Sequence, residues 1–138
     1  MPTFSKISKA RLATCHNELQ ALFSEVIKYY DCTIVCGHRG KDDQERAFIE
    51  KKSKVHYPAS KHNSIPSLAV DAASYEIDSI DWTPRQAIYF TGYVKGVADQ
   101  LFDKGIMMHR IRIGADWDGD NDIDDQTFND YPHFELIV

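Results

Sequence analysis

Apolar residues recur at helical spacing through the N-terminal part of the chain. Between residues 8 and 30 they fall three or four positions apart, as they do on the buried face of an amphipathic helix. The segment CTIVCGHR, residues 32–39, is rich in β-branched residues and is typical of a strand. The pattern therefore predicts one long helix that covers a core, followed directly by a strand.

Two further segments carry the signals of a helix start. In DDQERAFIEKK, Asp42 stands as an N-cap with Glu45 three residues later, which is a variant of the capping box. The run TPRQ, residues 83–86, combines a capping threonine, a first-turn proline and a glutamine that completes a box. This second helix is predicted to continue to about Lys104, where Gly105 ends it.

Short strands and loops account for the rest of the chain. Strands are predicted for LAVDAASY (68–75), IMMHRIRIG (106–114) and HFELIV (133–138), and loops for residues 53–67 and 115–130. The last strands are joined by loops and not by helices. The order of elements predicts an α+β fold, with a small, mainly antiparallel sheet and helices packed on it.

The size and composition of the chain fit a single domain over residues 1–138. The chain has 138 residues, of which 43% are apolar, enough for one core. No run of 18 apolar residues exists, so no membrane insertion is expected. Residues 1–9 lack the apolar centre of a secretory signal, and this predicts a cytoplasmic protein. The net charge of −5 and the lack of a basic face argue against a nucleic-acid partner.

The three cysteines do not form a disulfide or zinc framework by their spacing. Their number is odd, so reduced and mostly buried thiols are expected. Cys32 and Cys36 fall in a predicted strand, where four residues span roughly 13 Å. That separation is too large for two ligands of one zinc ion.

The negative charge is concentrated in one loop. Residues 116–130 contain seven aspartates and no lysine or arginine. Alternation of aspartate with glycine and asparagine supplies hard oxygen ligands on tight turns, which favours calcium (Ca2+). The loop is not an EF-hand, because no glutamate stands at the twelfth position. A solvated acidic loop without a metal is the alternative. The candidate calcium ligands are Asp116, Asp118, Asp120, Asp122 and Asp124.

Two histidines and one aspartate form a candidate metal site. His62 lies in the loop before a predicted strand, Asp71 lies inside that strand between small alanines, and His133 begins the last strand. Two imidazoles and one carboxylate are the ligand set of a catalytic zinc (Zn2+), which keeps its fourth position for water. Asp130, three residues before His133, is a candidate for the general base that a hydrolase needs.

Several stretches resemble one family of enzymes. GHR (37–39), SKH with LAVDAASY (within 60–75), DYPHFEL (130–136) and GADW (114–117) are similar to zinc peptidases. This family includes D-alanyl-D-alanine carboxypeptidases and phage L-alanyl-D-glutamate endopeptidases. The resemblance covers nearly the whole chain and is greatest for single-domain phage endolysins. It implies a fold like that of Hedgehog and the D-Ala-D-Ala peptidases.

The resemblance also implies roles for individual residues. It assigns zinc to His62, Asp71 and His133, the general base to Asp130, and a substrate carboxylate or the developing oxyanion to Arg39. The planar guanidinium of Arg39 suits carboxylates, and a surface ion pair is the less favoured alternative. The sequence departs from the commoner family pattern in having nine residues from His62 to Asp71 instead of seven. Ser60 and Gln44 are the implied substrate-binding residues.

The implied function is hydrolysis of peptidoglycan stem peptides at the L-alanyl-D-glutamate bond. The enzyme is expected to be a monomer without a separate wall-binding domain. It would remain in the host cytoplasm until release and then act in the periplasm and cell wall. A D-alanyl-D-alanine carboxypeptidase is the enzymatic alternative. A non-catalytic module that binds zinc and calcium is the alternative of another class.

Overall fold

The computed structural model describes residues 2–76 and 78–138. Within these residues the chain forms four α-helices, one short 3-10 helix and five strands. They follow one another as α1 (Lys6–Leu12), α2 (Asn17–Val26), β1 (Cys32–Cys36), α3 (Lys41–Ile49), the 3-10 helix (Lys61–Asn63), β2 (Ala69–Glu76), β3 (Ser79–Ile80), α4 (Pro84–Asp103), β4 (Ile111–Ile113) and β5 (His133–Leu136).

The strands form one antiparallel sheet in the order β1-β2-β5-β4, and β3 pairs with the end of β2. The α+β prediction with a mainly antiparallel sheet is therefore confirmed. Because β2 lies between β1 and β5, its residues face both neighbours. The register places Asp71 opposite Cys36 on one side and opposite His133 on the other. The centre of the sheet thus carries two of the three candidate metal ligands, Asp71 and His133.

Helices α1, α2 and α4 pack with the sheet around the core, and α3 contributes none of the described residues to it. Phe134 of β5 packs edge-on against Phe23 of α2 at 5.5 Å between ring centroids, and against Phe90 of α4 at 6.0 Å. These three rings are fully buried, and burial of such side chains contributes most to stability. None of the helices in the described residues is of a length and apolarity that could span a bilayer.

The single helix predicted for residues 8–30 is wrong, because the chain breaks between α1 and α2. The backbone around Cys15 forms a bridge to Ser67, with Ser67 N donating to Thr14 O at 2.9 Å and His16 N donating to Ser67 O at 2.8 Å. His16 then caps α2 by accepting the backbone N–H of Glu18 at 3.1 Å. The apolar spacing continues across the break, so it could not reveal a contact made 50 residues away.

Both predicted capping boxes are also wrong. Helix α3 begins one residue before Asp42 with Gly40 as its N-cap and no side-chain cap. Thr83 precedes α4 as predicted, but its hydroxyl donates to Asp81 at 2.7 Å and caps nothing. Gln86 instead donates to the hydroxyl of Tyr30. The predicted strand at 106–114 shortens to β4, because residues before it are tied to α2.

The buried carboxylate of Glu18 in α2 holds the residues that precede β4. Its side chain accepts hydrogen bonds from Met108 N at 2.6 Å, His109 N at 3.0 Å and His109 Nδ1 at 2.8 Å, and His16 lies 3.8 Å away. Burial on its own would raise the pKa of Glu18, but these hydrogen bonds outweigh it and hold that pKa below the usual range. Glu18 therefore stabilises the fold only while it is ionised.

Glu18→Gln is expected to lower the free energy of unfolding by about 2 kcal/mol at pH 7, because the charged acceptor is lost. A lowered pKa means that this stability is complete above the ordinary glutamate pKa of about 4.3 and disappears as the pH falls through the folded value. The gap between variant and wild type should thus shrink in urea titrations below about pH 4. Glu25→Gln, at the solvent side of the same helix, is the control and should change little. A gap that is independent of pH would contradict the role given to the charge.

All three cysteines are free thiols, as predicted. Burial is the main reason why the pKa values of Cys15 and Cys32 are raised to about 12. These two thiols are therefore unreactive core residues. Cys36, at the end of β1, is less buried and lies beside the candidate metal site.

Candidate functional site

The three predicted zinc ligands come together around one carboxylate oxygen. Asp71 Oδ1 lies 3.1 Å from His62 Nε2 and 3.3 Å from His133 Nδ1. The sheet register sets Asp71 beside His133, and the 3-10 helix before β2 brings in His62. The two imidazole rings are 5.2 Å apart between centroids. A loop and two strands thus converge as the sequence pattern predicts.

Each imidazole is held by a hydrogen bond on its far side. His62 Nδ1 donates to the carbonyl of Gly37 at 2.8 Å, and its Nε2 lies within hydrogen-bond distance of Asp71 Oδ1. His133 Nε2 donates to Glu135 at 2.8 Å, which leaves Nδ1 facing the same aspartate. Such outer partners fix the tautomer and the ring orientation of metal-binding histidines. The second nitrogen of each ring therefore faces Asp71 Oδ1.

The donor set fits a catalytic zinc ion. Two neutral imidazole nitrogens and one carboxylate are the ligands that such an ion takes when it keeps a position for water. The ligand atoms form two groups that share Asp71, one with Cys36 and His62 and the other with Asp130 and His133, each within 4.8 Å. The proximity of Cys36 to His62 and Asp71 was not predicted, because the sequence pattern addresses only its distance from Cys32 along the strand.

The two carboxylates at the site have pKa values shifted in opposite directions. Burial alone would raise the pKa of Asp71, but the adjacent imidazoles of His62 and His133 hold it well below its usual range. Burial and the negative charge of Asp71 raise the pKa of Asp130 to about 6. The two carboxylates are thus in different environments, one paired with both imidazoles and one beside them.

Asp130 lies near the metal ligands but makes a longer contact than they do. Its Oδ2 is 3.9 Å from His133 Nδ1. The backbone fixes its place, because Asp130 N donates to Gly114 O at 3.0 Å, and its carbonyl accepts from His133 N at 3.0 Å. Gly114 N in turn donates to His133 O at 2.9 Å. The end of β4 therefore holds Asp130 and His133 in one tight turn.

Arg39 lies beyond the end of β1, between this strand and α3. Its Nη2 is 3.4 Å from Asp71 Oδ2, and its Nη1 donates to Gln44 Oε1 at 3.1 Å. Gln44 is fully buried and donates to Ser53 Oγ and Val55 O at 2.9 and 2.8 Å. Gln44 is therefore placed to hold Arg39 and the following loop, and it does not line the cleft as predicted.

Ser60 shapes the turn that carries His62. Its hydroxyl accepts the backbone N–H of His62 at 3.2 Å, and its own N–H donates to Asn63 at 3.0 Å. Asn63 also donates to the carbonyl of Arg39 at 3.0 Å. Ser60 also lines a cleft at the site, so its side chain could contact substrate, as predicted, in addition to shaping the turn.

Two clefts meet at the site. The first, of about 480 Å³, lies between residues 52–62 and the loop that leads to Asp130. The second, of about 500 Å³, lies between α3 and Trp82. The lining residues that they share are Arg39, Lys52, Asp71 and Asp130. The site is thus open on two sides.

Two aromatic rings form a wall of the first cleft that the sequence did not reveal. Trp117 lies 5.2 Å from the His133 ring, and Phe128 stacks on Trp117 at 6.2 Å with 13° between the planes. The Trp117 indole also donates to Phe128 O at 2.8 Å. The signal was an aromatic residue on each side of the acidic run, which the high charge of residues 116–130 obscured.

The acidic loop brings only part of the predicted calcium set together. Oxygens of Asp116, Asp118 and Asp120 lie within 4.8 Å of one another. Asp116 is 5% exposed, and its Oδ1 has no hydrogen-bond partner among the described residues, whereas its Oδ2 accepts from Asn121 N at 2.8 Å. Asp122 instead accepts the backbone N–H of Asp124 at 2.9 Å, and both residues lie outside this cluster.

Glu135→Gln is expected to weaken zinc affinity about tenfold, because the amide binds His133 less strongly than the carboxylate does. Competition with a chromogenic chelator measures this affinity. Glu135 also faces Arg112 at 3.5 Å, so Arg112→Gln is a control that removes this ion pair without touching His133. Equal losses in both variants would mean that the surface pair, and not the orientation of His133, controls affinity.

Comparison with known proteins agrees with this geometry. A family model described as phage L-alanyl-D-glutamate peptidase matches residues 2–137. The crystal structure of the Serratia marcescens L-Ala D-Glu endopeptidase ChiX superposes with a TM-score of 0.72 at 17% sequence identity, covering 98% of this chain and 90% of that one. At this identity the likeness shows a shared fold. No protein of curated function matches the sequence.

Proposed function

The chain belongs to the phage L-alanyl-D-glutamate peptidase family, and on that basis we propose that it is a zinc enzyme that cuts this bond in peptidoglycan stem peptides. His62, Asp71 and His133 would hold the zinc. The observation that carries the proposal is the convergence of two oriented imidazole nitrogens on one oxygen of Asp71, at 3.1 and 3.3 Å. The proposal also includes a monomeric, single catalytic domain.

In this mechanism the chain positions water and the scissile carbonyl between charged groups. When bound, zinc supplies Lewis-acid polarisation and lowers the pKa of a water molecule. Asp130 accepts the proton of the attacking water at its carboxylate and passes it to the departing amine of D-glutamate. Arg39 donates to the oxyanion that develops on the carbonyl of L-alanine. Gly37 and Glu135 keep the imidazoles in place throughout.

The two clefts favour cleavage within a peptide over removal of its last residue. An endopeptidase must accommodate substrate on both sides of the scissile bond, and here the clefts share Arg39, Asp71 and Asp130. A D-alanyl-D-alanine carboxypeptidase requires a wall that ends the cleft just beyond the bond. A non-catalytic metal module has no need of an acid beside the metal that is not itself a ligand.

A digest of purified peptidoglycan, with and without a zinc chelator, tests the proposal. The expected products, identified by mass spectrometry, are disaccharide that keeps only L-alanine and peptides that begin with D-glutamate. The chelator should abolish them, and added zinc should restore them. Loss of only a terminal D-alanine would identify the carboxypeptidase. The absence of any chelator-sensitive product would favour the metal-binding module.

The proposal extends to calcium in the acidic loop. Asp116, Asp118 and Asp120 supply hard oxygens, and the buried Asp116 Oδ1 without a partner supports an ion there. This loop leads to Asp130, so calcium would order the segment that positions the base. With zinc saturating, calcium should raise the melting temperature of wild type and of Asp124→Asn, but not of Asp118→Asn. If calcium raises the melting temperature of Asp118→Asn but not of Asp124→Asn, the ion binds further along the loop than proposed.

The proposed biological role is that of a phage endolysin. Synthesis in the host cytoplasm, followed by action on the cell wall after release, agrees with the phage family. Peptidoglycan is then the only partner required for activity. Fractionation of infected cells before and after lysis would test the order of these locations, and sedimentation of the purified protein would test the monomer.

A further inference from the structure

One cation in the first cleft differs from the others. The ammonium of Lys54 lies 5.1 Å from the centre of the Phe128 ring and forms no ion pair among the described residues. The remaining cations of this cleft each face a carboxylate: Arg39 faces Asp71 at 3.4 Å, Lys52 faces Glu50 at 3.2 Å, and Lys61 faces Glu135 at 3.2 Å.

Two aromatic rings connect Lys54 to the candidate metal site. Phe128, which it contacts, stacks on Trp117, and Trp117 contacts the His133 ring. Lys54 therefore lies at the outer end of an aromatic wall that begins at the candidate metal site. A ligand that extends from the metal site along this wall would reach the ammonium.

The second cleft offers no equivalent. Its cations are Arg39, Arg46 and Lys52, and Arg46 is paired with Asp43 at 3.6 Å. Arg39 and Lys52 line both clefts and so do not distinguish them, whereas Lys54 lines the first cleft alone. The two clefts therefore differ in charge, and this difference would orient a charged peptide that occupies both.

The substrate is also asymmetric in charge. In a stem peptide that continues through the side chain of D-glutamate, the α-carboxyl of that residue stays free, and diaminopimelate further along carries another carboxylate. Both groups lie after the scissile bond. Resting on the proposed function, we propose that the first cleft binds the peptide after the scissile bond and that Lys54 binds a free carboxylate there.

The proposal assigns Lys54 to substrate discrimination. Lys54 is exposed, and an ammonium–carboxylate pair at an exposed site accounts for up to about a fivefold difference in binding. The aromatic face below the ammonium limits its motion without neutralising it. Lys54 should therefore affect KM for carboxylate-bearing substrates and leave kcat almost unchanged, because it contacts no reacting atom.

Synthetic stem peptides provide the test. All begin with L-alanyl-D-glutamate and end in a C-terminal amide. In one pair the α-carboxyl of D-glutamate is free or amidated, and in the other pair the third residue is diaminopimelate or lysine. Wild type should show up to about fivefold higher kcat/KM for the carboxylate member of one pair. The responding pair identifies which carboxylate Lys54 binds.

Variants then separate this role from a structural one. Lys54→Gln should lose the discrimination by a rise in KM for the charged substrate alone, and Lys54→Arg should retain it. Lys41→Gln removes the same charge from the start of α3, outside both clefts, and should behave as wild type. If Lys54→Gln slows both members equally, or if wild type discriminates in neither pair, the proposal is wrong while the proposed function stands. Failure of wild type to cut any of the peptides would overturn the proposed function itself.

Discussion

Asp130→Asn is expected to lower kcat for stem-peptide hydrolysis by about 10²–10⁴-fold, because asparagine cannot accept the proton of the attacking water. Asparagine keeps the size of the side chain, and the backbone hydrogen bonds from Asp130 to Gly114 and His133 do not depend on the carboxylate. Zinc content and melting temperature should therefore stay close to those of wild type. The measurements are kcat on a defined peptide and zinc per chain by mass spectrometry.

A matched variant in the same loop makes this result specific. Asp125→Asn removes the same charge from an exposed position outside the cleft and should leave kcat unchanged. Loss of zinc together with activity in Asp130→Asn would mean that Asp130 is a ligand, as its group with Asp71 and His133 permits. Full activity would mean that another group takes the proton, and the mechanism proposed above would be wrong.

The parts of the site that the sequence predicted are those that depend on residue type and on short segments. His62, Asp71 and His133 lie in or beside strands whose apolar pattern was clear, so their elements were placed within a few residues. A central strand with paired neighbours then brings them together, because antiparallel pairing sets Asp71 directly opposite His133. The α+β class follows from the same elements.

The parts that the sequence did not predict depend on contacts between distant segments. The break between α1 and α2 requires Ser67, and the shortened β4 requires Glu18, neither of which changes the local apolar pattern. Gln44 was expected at the surface of the cleft, yet its four amide contacts are satisfied inside the protein. Propensity and motif describe local preferences, and these positions are decided by tertiary hydrogen bonds.

The aromatic wall formed by Trp117 and Phe128 could not be predicted for a different reason. Trp117 and Phe128 are eleven positions apart, and their stacking requires the acidic loop between them to fold back on itself. Gln126 assists this return, because it accepts from Trp117 N at 2.8 Å and donates to Gly114 O at 3.1 Å. Charge alone identified this loop as a candidate ion site, and only its path identified it as a wall of the cleft.

Gly114→Ala is expected to lower the free energy of unfolding by about 2–3 kcal/mol and to reduce activity further than unfolding alone explains. An added Cβ at this position would overlap the carbonyl of Asp130, which is backbone and cannot rotate away. The turn would have to move, and with it Asp130 and His133. Since catalytic groups misplaced by about 1 Å can lose 10²-fold in rate, the folded variant should also be slow.

Urea denaturation gives the stability of Gly114→Ala, and kcat at a temperature where the variant is fully folded separates geometry from unfolding. Gly92→Ala and Gly96→Ala are matched controls in α4, where an added Cβ meets nothing within 4 Å. Both should keep full activity and gain up to about 1 kcal/mol of stability, because alanine favours a helix. Wild-type stability and kcat in Gly114→Ala would mean that the turn tolerates a side chain, and that close packing at the end of β4 does not position Asp130.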